Sequence, residues 1–440
     1  MNLDLLASRL ERIVGAAHVL ADPQMKSPYE IDWTRRFTGE SSFVVRPRTV
    51  EEVVALVGLA RETGVPLVAQ GGNTGLVGGA VPDDGAVVVS TERMTDVGDV
   101  EESAGTIRAE AGATLDDVAR RAASADMFWP VAHAGGGRAT VGGTIATNAG
   151  GTLSWQFGTA RHHVRGVEAV LGDGRVIDRR GALVKDNAGY DLTGLLCGSE
   201  GTLGIVTSAA LALQPRPPSA ITALIAIDEP GSLARLAGAC RRLPSMWAAE
   251  VVFDGAMDNL CDRLGLRRPF DQRFLAYALV RCVGERSSDD LAALAGGRPS
   301  LVDERVWDYR ERQNEAVARS GVPVKLDVSL PVDALERFAS WAVDAALEAD
   351  VEAFVFGHLL DGNLHVNLVG DRAADLEETV VNGVVHHGGA VAAEHGIGRA
   401  RSKWLSLARS HDEIAAMTGI KRALDPDGIL NPGVVLGGGG

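Results

Sequence analysis

A chain of 440 residues, 46% apolar and 23% charged, holds enough material for two or three packed domains. Its formal net charge of −15 excludes a basic nucleic-acid footprint or attraction to an anionic membrane surface, though a local cationic pocket stays open to it. Glycine is the outlier at 53 residues, and its clustering in short runs points to tight backbone turns rather than to disorder.

The opening MNLDLLASRLERIVGAAHVL has the spacing of an amphipathic helix, without the basic start and long apolar core of a secretory signal. VVRPRTVEEVVALVGLARETGVPLVAQGG then predicts a helix entered at Thr49, with Glu52 completing a capping box. Val53, Leu56, Val57 and Ala60 recur at helical spacing, and Gly64 and Pro66 end the helix. PLVAQ reads as a short buried strand, and AVVVS, TIRAEAGATLDDVARRAASA and VRGVEAVLGDGRVID continue a mixture of strands and helices to about Arg216. The prolines of QPRPPSA (214–220) predict a linker, and ITALIAI opens a second pattern of strands and helices running to about residue 395. RSKWLSLARSHDEIAAMTGIKRALDPDGILNPG predicts two helices and a Pro/Gly stop, and the final GGGG a flexible tail. No stretch has the apolar length of a membrane span, and no solenoid-like repeat recurs. Cys197, Cys240, Cys261 and Cys282 have no CxxC spacing. They are expected as reduced, buried thiols of a cytoplasmic protein, not as an iron–sulfur cluster, zinc knuckle or disulfide framework.

Three glycine runs stand out: QGGNTGLVGG (70–79), TVGGTIATNAGG (140–151) and CGSEGTLG (197–204). Backbone approaches a diphosphate closely only where no Cβ intervenes, and successive N–H groups then form an anion nest. Short polar side chains stand beside them, with Ser199 and Thr202 in the third run. Neither GxGxxG nor GxxxxGK[ST] is present, so neither a Rossmann nor a P-loop site is supported. One such run alone reads as a structural turn; three in one half of the chain favour a site.

The strings PRTVEEVVALVGLARETGVPLVAQGGNTGLVGGAVP, VGGTIATNAGG, FGTARHHVRGVEAVLGDGRV and KDNAGYDLTGLLCGSEGTLGIVT resemble the FAD-binding domain of the vanillyl-alcohol-oxidase/p-cresol-methylhydroxylase (PCMH) flavoproteins, over most of residues 40–210. The resemblance implies that Gly71, Gly72, Asn73, Thr74, Gly75, Gly78 and Gly79 cradle the FAD diphosphate. It implies that Thr144, Asn148, Ala149, Gly150, Gly198, Glu200, Gly201, Gly204 and Asn431 line the rest of the flavin site. Covalent members often carry a His in the first loop; residues 70–79 hold none, which implies noncovalent FAD. The implied fold is α+β. A PCMH-type FAD-binding domain of two α/β subdomains covers 1–216, a cap domain with an antiparallel sheet covers 217–395, and a C-terminal helical segment, 396–440, packs back on the FAD domain.

In AFVFGHLLDGNLHVNL, Phe354, Phe356 and His358 alternate onto one strand face, Asp361-Gly362-Asn363 supplies a turn, and His365 and Asn367 share a face of the returning strand. Glu394, in EHGIG, adds a carboxylate from a separate loop. Two imidazoles and one carboxylate leave coordination positions open for a substrate, although the spacing fits two merely hydrogen-bonded histidines equally well. His18, His133, His162, His163, His386, His387 and His411 lack a comparable setting.

GHLLDGNLHVN followed by EHGIG resembles the C-terminal domain of the FAD-linked D-2-hydroxyacid dehydrogenases, which act on D-lactate, glycolate or D-2-hydroxyglutarate; HVN looks closer to the last branch. The resemblance implies that His358, His365 and Glu394 bind a divalent metal, commonly zinc, and that Asn367 and His395 face the substrate, His395 as the base. DYRERQNEAVARSGVPVKLDVSLP extends it, with Arg310 and Lys325 receiving substrate carboxylates and Asn314 standing where the branch has Thr. A further departure is Leu360, where the branch has Gly in GHLGDGN.

The implied activity is oxidation of a D-2-hydroxy acid, D-2-hydroxyglutarate foremost, to the 2-oxo acid, with hydride transfer to flavin. D-lactate or glycolate oxidation on the same fold is the near alternative, and a metal-dependent hydrolase the alternative from another class. Without iron–sulfur cysteines, electrons are expected to leave directly to an electron-transfer flavoprotein, a quinone or oxygen. A homodimer is compatible with this reading.

Overall fold

The computed structural model describes residues 3–83, 85–131, 136–181, 183–217 and 219–437, so His133 and the last three glycines lie outside the described residues. The chain divides into two compact units, Met1–Gly151 with Gly158–Arg216 and His395–Gly440, and Thr152–Phe157 with Pro217–Glu394. The short Thr152–Phe157 stretch, expected within the flavin domain, therefore clusters with the second unit.

In the first unit, a four-stranded sheet is ordered Val19–Leu20, Ser41–Val45, Ala86–Ser90, Leu67–Gln70. Ala86–Ser90 is buried along its whole length and pairs in parallel with a strand on either side, which is why AVVVS is an unbroken apolar run. The Leu3–Val14 helix buries Leu6, Leu10 and Val14 in the same core as Val53, Leu56 and Val57 of the Val50–Thr63 helix. Gly64, at φ 70°, ends that second helix in the left-handed conformation. Its capping box closes one residue early: Thr49 accepts the Glu52 amide at 3.3 Å, while the Glu52 carboxylate accepts the Arg48 amide at 2.6 Å.

An antiparallel five-stranded sheet completes the unit, ordered Val97–Glu101, Thr106–Glu110, Gly204–Ala212, Val164–Leu171, Val176–Asp178. Gln214–Pro215 pairs with Met127–Phe128, so the expected linker begins as a strand. The end of the chain returns beside Leu67–Gln70: the Leu67 amide donates to Ile429 O and the Asn431 amide to Leu67 O, each at 2.8 Å. That return places Asn431 at the first glycine loop.

The second unit is built on a seven-stranded antiparallel sheet, ordered Ser300–Val302, Ala220–Ile227, Ala276–Val283, Met246–Phe253, Glu352–His358, Asn363–Val369, Val324–Ser329. Directly paired residues share a face, and register pairs Glu250 with His358, His358 with Asn363, His365 with both Phe356 and Asp327, and Asn367 with Lys325. One face thus carries all of these paired polar residues. Its apolar remainder, Phe354, Phe356, Leu279 and Tyr277, packs under the helices Asp254–Leu264 and Gln313–Ser320.

Candidate metal centre and flavin cradle

The predicted hairpin forms, and its turn shows why glycine is needed at one position and not another. Gly362 has φ 78°, and a Cβ there would stand 2.0 Å from Leu330 O. Leu360 is not in the left-handed region, and its side chain is buried at 1% exposure, so the departure from the family pattern requires no strained backbone.

Both imidazoles have a buried carboxylate behind them, and one of the two is hydrogen-bonded to it. His358 Nδ1 lies 2.7 Å from Glu250 Oε1, and because a carboxylate only accepts, Nδ1–H donates and Nε2 is left as the outward lone pair. Glu250 is fully buried, with its other oxygen accepting Arg310 Nε at 2.6 Å. His365 Nδ1 lies 3.5 Å from Asp327 Oδ1. Asp327 is also fully buried; it accepts Asn363 Nδ2 at 2.7 Å and the Glu394 amide at 2.9 Å. Asp327 therefore stands behind the second imidazole and anchors the segment that delivers Glu394, a segment set beside its strand by the Ser329–Ala390 bridge.

In front, the two rings converge. His358 Nε2 and His365 Nε2 each stand 3.6 Å from one oxygen of the Glu394 carboxylate, with the rings perpendicular and 5.5 Å apart. That distance is beyond hydrogen-bond reach, and His358 Nε2 is a buried atom that makes no hydrogen bond. Ligand-type atoms of Asp327, His365 and Glu394 fall within 4.8 Å of one another. His358 falls outside that group and faces the other oxygen of Glu394, so the nitrogen and oxygen donors that fit a divalent cation are gathered round this carboxylate, with Asp327 among them.

The electrostatics agree. Burial pulls the His358 pKa down, but Glu250 and then Glu394 outweigh it and hold it well above 6.5. A second proton would sit on Nε2 facing Glu394; a cation supplies the same compensation with the imidazole neutral. Burial pushes His365 down to about 4, keeping it neutral and ligand-competent. Despite burial, His358 and Arg310 hold Glu250 below its ordinary value. Asp361, in the turn, is raised by burial to about 6.

The expected substrate residues are differently placed. Arg310 is buried at 8% exposure, bonded through Nε to Glu250 and 5.1 Å over the Phe356 ring. Its Nε is thus engaged with the carboxylate behind His358. Lys325 Nζ donates to Asn314 Oδ1 at 3.0 Å, which brings two expected substrate residues together, and burial lowers the Lys325 pKa. Asn367 is buried and donates to Phe354 O at 3.3 Å. His395 follows Glu394 at the division between the two units.

In the first unit, hydrogen bonds stitch the three glycine runs together. A Cβ on Gly71 would lie 2.2 Å from Thr140 Oγ1 and one on Gly72 would lie 1.7 Å from Arg138 O, so these glycines let the first run lie against the second. The Gly198 amide donates to Ile145 O at 3.0 Å and the Glu200 amide to Ala146 O at 2.8 Å, joining the third run to the second. Asn431 Nδ2 donates to Gly79 O and Glu200 O, both at 2.8 Å, joining the third to the first. Asn73, Asn148, Glu200 and Asn431 all adopt left-handed φ. Asn73 gives its amide to Pro28 O and Ile31 O, and Asn148 Oδ1 accepts from Thr159 and Arg161. Thr144 and Ala149 are buried, the Ala149 amide donating to Thr144 O. Gly201 and Gly204 pack closely against Ala69 and Val170.

Most of these glycines thus serve close packing within the protein. The stretch at Gly75 differs: a Cβ there would meet nothing within 4 Å. Among the described residues, no hydrogen bond is donated by the amides of Gly72, Asn73, Thr74, Gly75 and Leu76. Consecutive open amides on a fixed loop form a nest that fits a diphosphate.

Glu250 and Asp327 were missed in the sequence. The signal was a lone carboxylate inside each apolar strand, WAAEVVF and KLDVSL, since a buried charge must be paired.

Two family models match: an FAD binding domain over residues 41–179, and the C-terminal domain of FAD linked oxidases over residues 264–435. A D-2-hydroxyglutarate dehydrogenase of Xanthomonas citri pv. viticola is 34% identical over 96% of this chain and 95% of its own length. The mitochondrial D-2-hydroxyglutarate dehydrogenase of Arabidopsis thaliana is 32% identical, over 98% of this chain and 81% of its own. Among solved structures, p-cresol methylhydroxylase with substrate bound superposes with a TM-score of 0.80 at 17% identity, over 98% of this chain and 96% of that one. An alkyldihydroxyacetonephosphate synthase gives 0.76 at 15% identity, over 98% and 84%. These two structures establish a shared fold, the PCMH-type FAD-binding fold expected above.

Proposed function

The chain belongs to the family of the D-2-hydroxyglutarate dehydrogenases, FAD-dependent hydroxyacid dehydrogenases, and on that premise we propose that it oxidises D-2-hydroxyglutarate to the 2-oxo acid. The observation that carries the proposal is the convergence of His358 Nε2 and His365 Nε2 on the Glu394 carboxylate. When bound, a divalent cation such as zinc polarises the substrate hydroxyl as a Lewis acid, and FAD, held noncovalently, accepts the hydride equivalent.

The remaining work falls to the chain. Glu250 fixes the ring direction of His358 through Nδ1, Asp327 stands 3.5 Å behind His365 Nδ1, and both rings turn Nε2 toward Glu394. His395 accepts the proton of the 2-hydroxyl, and Asn367 orients the hydroxy acid. The Lys325–Asn314 pair receives the distal carboxylate, a point charge beside an amide donor, while Arg310 contributes through the Glu250 it holds. The open amides at Gly72–Leu76 bind the FAD diphosphate. Electrons leave to a protein, quinone or oxygen acceptor. Among the described residues, no helix is long and apolar enough to cross a membrane.

Anaerobic reduction of the bound flavin, screened with D-2-hydroxyglutarate, D-malate, D-lactate and glycolate, tests the proposal. Fastest bleaching is expected with D-2-hydroxyglutarate; preference for D-lactate or glycolate would move the chain to a neighbouring branch. A colourless protein with chelator-sensitive hydrolase activity would refute it.

A further inference from the structure

The Glu200 carboxylate, expected from the sequence to line the flavin site, also bonds the loop that follows His395. Its two oxygens accept the amides of Ile397 and Gly398, each at 2.8 Å, on the loop that begins at His395. The fit is close. A Cβ on Gly396 would stand 2.7 Å from Glu200 Oε1, and Gly396 has φ 82°. A Cβ on Gly79 would stand 3.1 Å from Oε2. The other side of the same loop is fixed by Val77 O, which accepts the Arg399 and Ala400 amides at 3.0 and 3.1 Å. Arg401, buried at 3% exposure, donates to Gly396 O at 3.3 Å. Glu200 itself is 9% exposed and held at left-handed φ 51°, a conformation that over-determined surroundings must maintain.

A buried carboxylate this committed to backbone amides fixes the backbone one residue beyond His395. We infer that Glu200 is a positioning residue for His395: it clamps the Gly396–Gly398 turn to the flavin unit and so sets where the imidazole stands. The inference rests on the reading of His395 as the proton acceptor. Misplacing a catalytic group by about 1 Å costs on the order of 10²-fold in rate.

Glu200→Gln tests this in the FAD-loaded protein, because an amide NH2 cannot accept the second backbone N–H. Expected are an unchanged flavin spectrum and stoichiometry, flavin reduction by D-2-hydroxyglutarate slowed about 10²-fold, and KM within a few-fold of the parent. Hydrogen exchange at the Ile397 and Gly398 amides should rise, a readout independent of the chemistry. Parental exchange protection at those amides overturns the clamp, whatever His395 does. Parental reduction rates, or loss of the flavin itself, overturn the positioning role. His395→Ala in parallel separates the two ideas: parental reduction by that variant removes the base assignment but leaves the exchange result standing. Should Glu200→Gln not fold, Gly396→Ala carries the same test by pushing its Cβ onto Oε1, with the same expected slowing and the same overturning results.

Discussion

Glu250 Oε1 stands 2.7 Å behind His358 Nδ1, and that contact turns Nε2 toward Glu394. Glu250→Gln keeps the shape but lets the amide donate to Nδ1, which moves the ring proton to Nε2 and cancels the lone pair. Metal affinity should fall about 10- to 100-fold, measured by competition with a chromophoric chelator. Arg310 would also lose its buried partner, so stability should drop by roughly 3 kcal/mol in denaturant titration. Parental metal affinity would remove Glu250 from the centre.

Chelation should strip the metal without releasing FAD, since the two sites draw on different residues. His365→Ala and Glu394→Gln should each purify yellow, with bound metal reduced to background by elemental analysis and with flavin reduction by the hydroxy acid lost. Full metal occupancy in both variants would show that these side chains are not ligands.

Lys325→Ala should act on substrates by their charge. A charge-assisted hydrogen bond contributes about 1.5–3 kcal/mol, so KM for D-2-hydroxyglutarate should rise roughly 10- to 150-fold. KM for the monocarboxylate D-lactate should change little. Equal changes for both would place Lys325 away from the distal carboxylate.

The glycine loop offers a contrast between packing and ligand approach. A Cβ at Gly72 would lie 1.7 Å from Arg138 O, so Gly72→Ala should be recovered poorly or with a markedly lower Tm. Gly75→Ala meets nothing within 4 Å, so it should fold normally and lose flavin on dialysis. Unchanged flavin retention in Gly75→Ala would mean that the cofactor does not approach there.

Thiol chemistry should follow burial. Burial raises Cys197, Cys261 and Cys282 to about 11 and Cys240 to about 12. Native protein at pH 8 should therefore react only marginally with a disulfide reagent, and all four thiols should react after unfolding. The sign for stability is that of a raised acid: the buried neutral thiols favour folding below pH 9, and that advantage is lost as pH rises through 11. Rapid stoichiometric labelling of native protein would contradict this.

Local pattern carried the sequence reading a long way. Thr49, the apolar spacing to Ala60 and Gly64 determined a helix because caps and a 3.6-residue period act within a few residues. Phe354 to Asn367 determined a hairpin with both imidazoles on one face because strand alternation and a glycine turn are equally local. Tertiary structure alone decided what those imidazoles lean on. Glu250 lies 108 residues from His358 in sequence, and strand register across the sheet, not any nearby residue, makes them partners. It likewise decided that Arg310 serves Glu250, that Asn431 joins two glycine loops, and that Glu200 holds the turn after His395. Each is a long-range pairing of a buried polar group, and burial, which makes such pairing obligatory, is a property of the folded chain rather than of any segment of it.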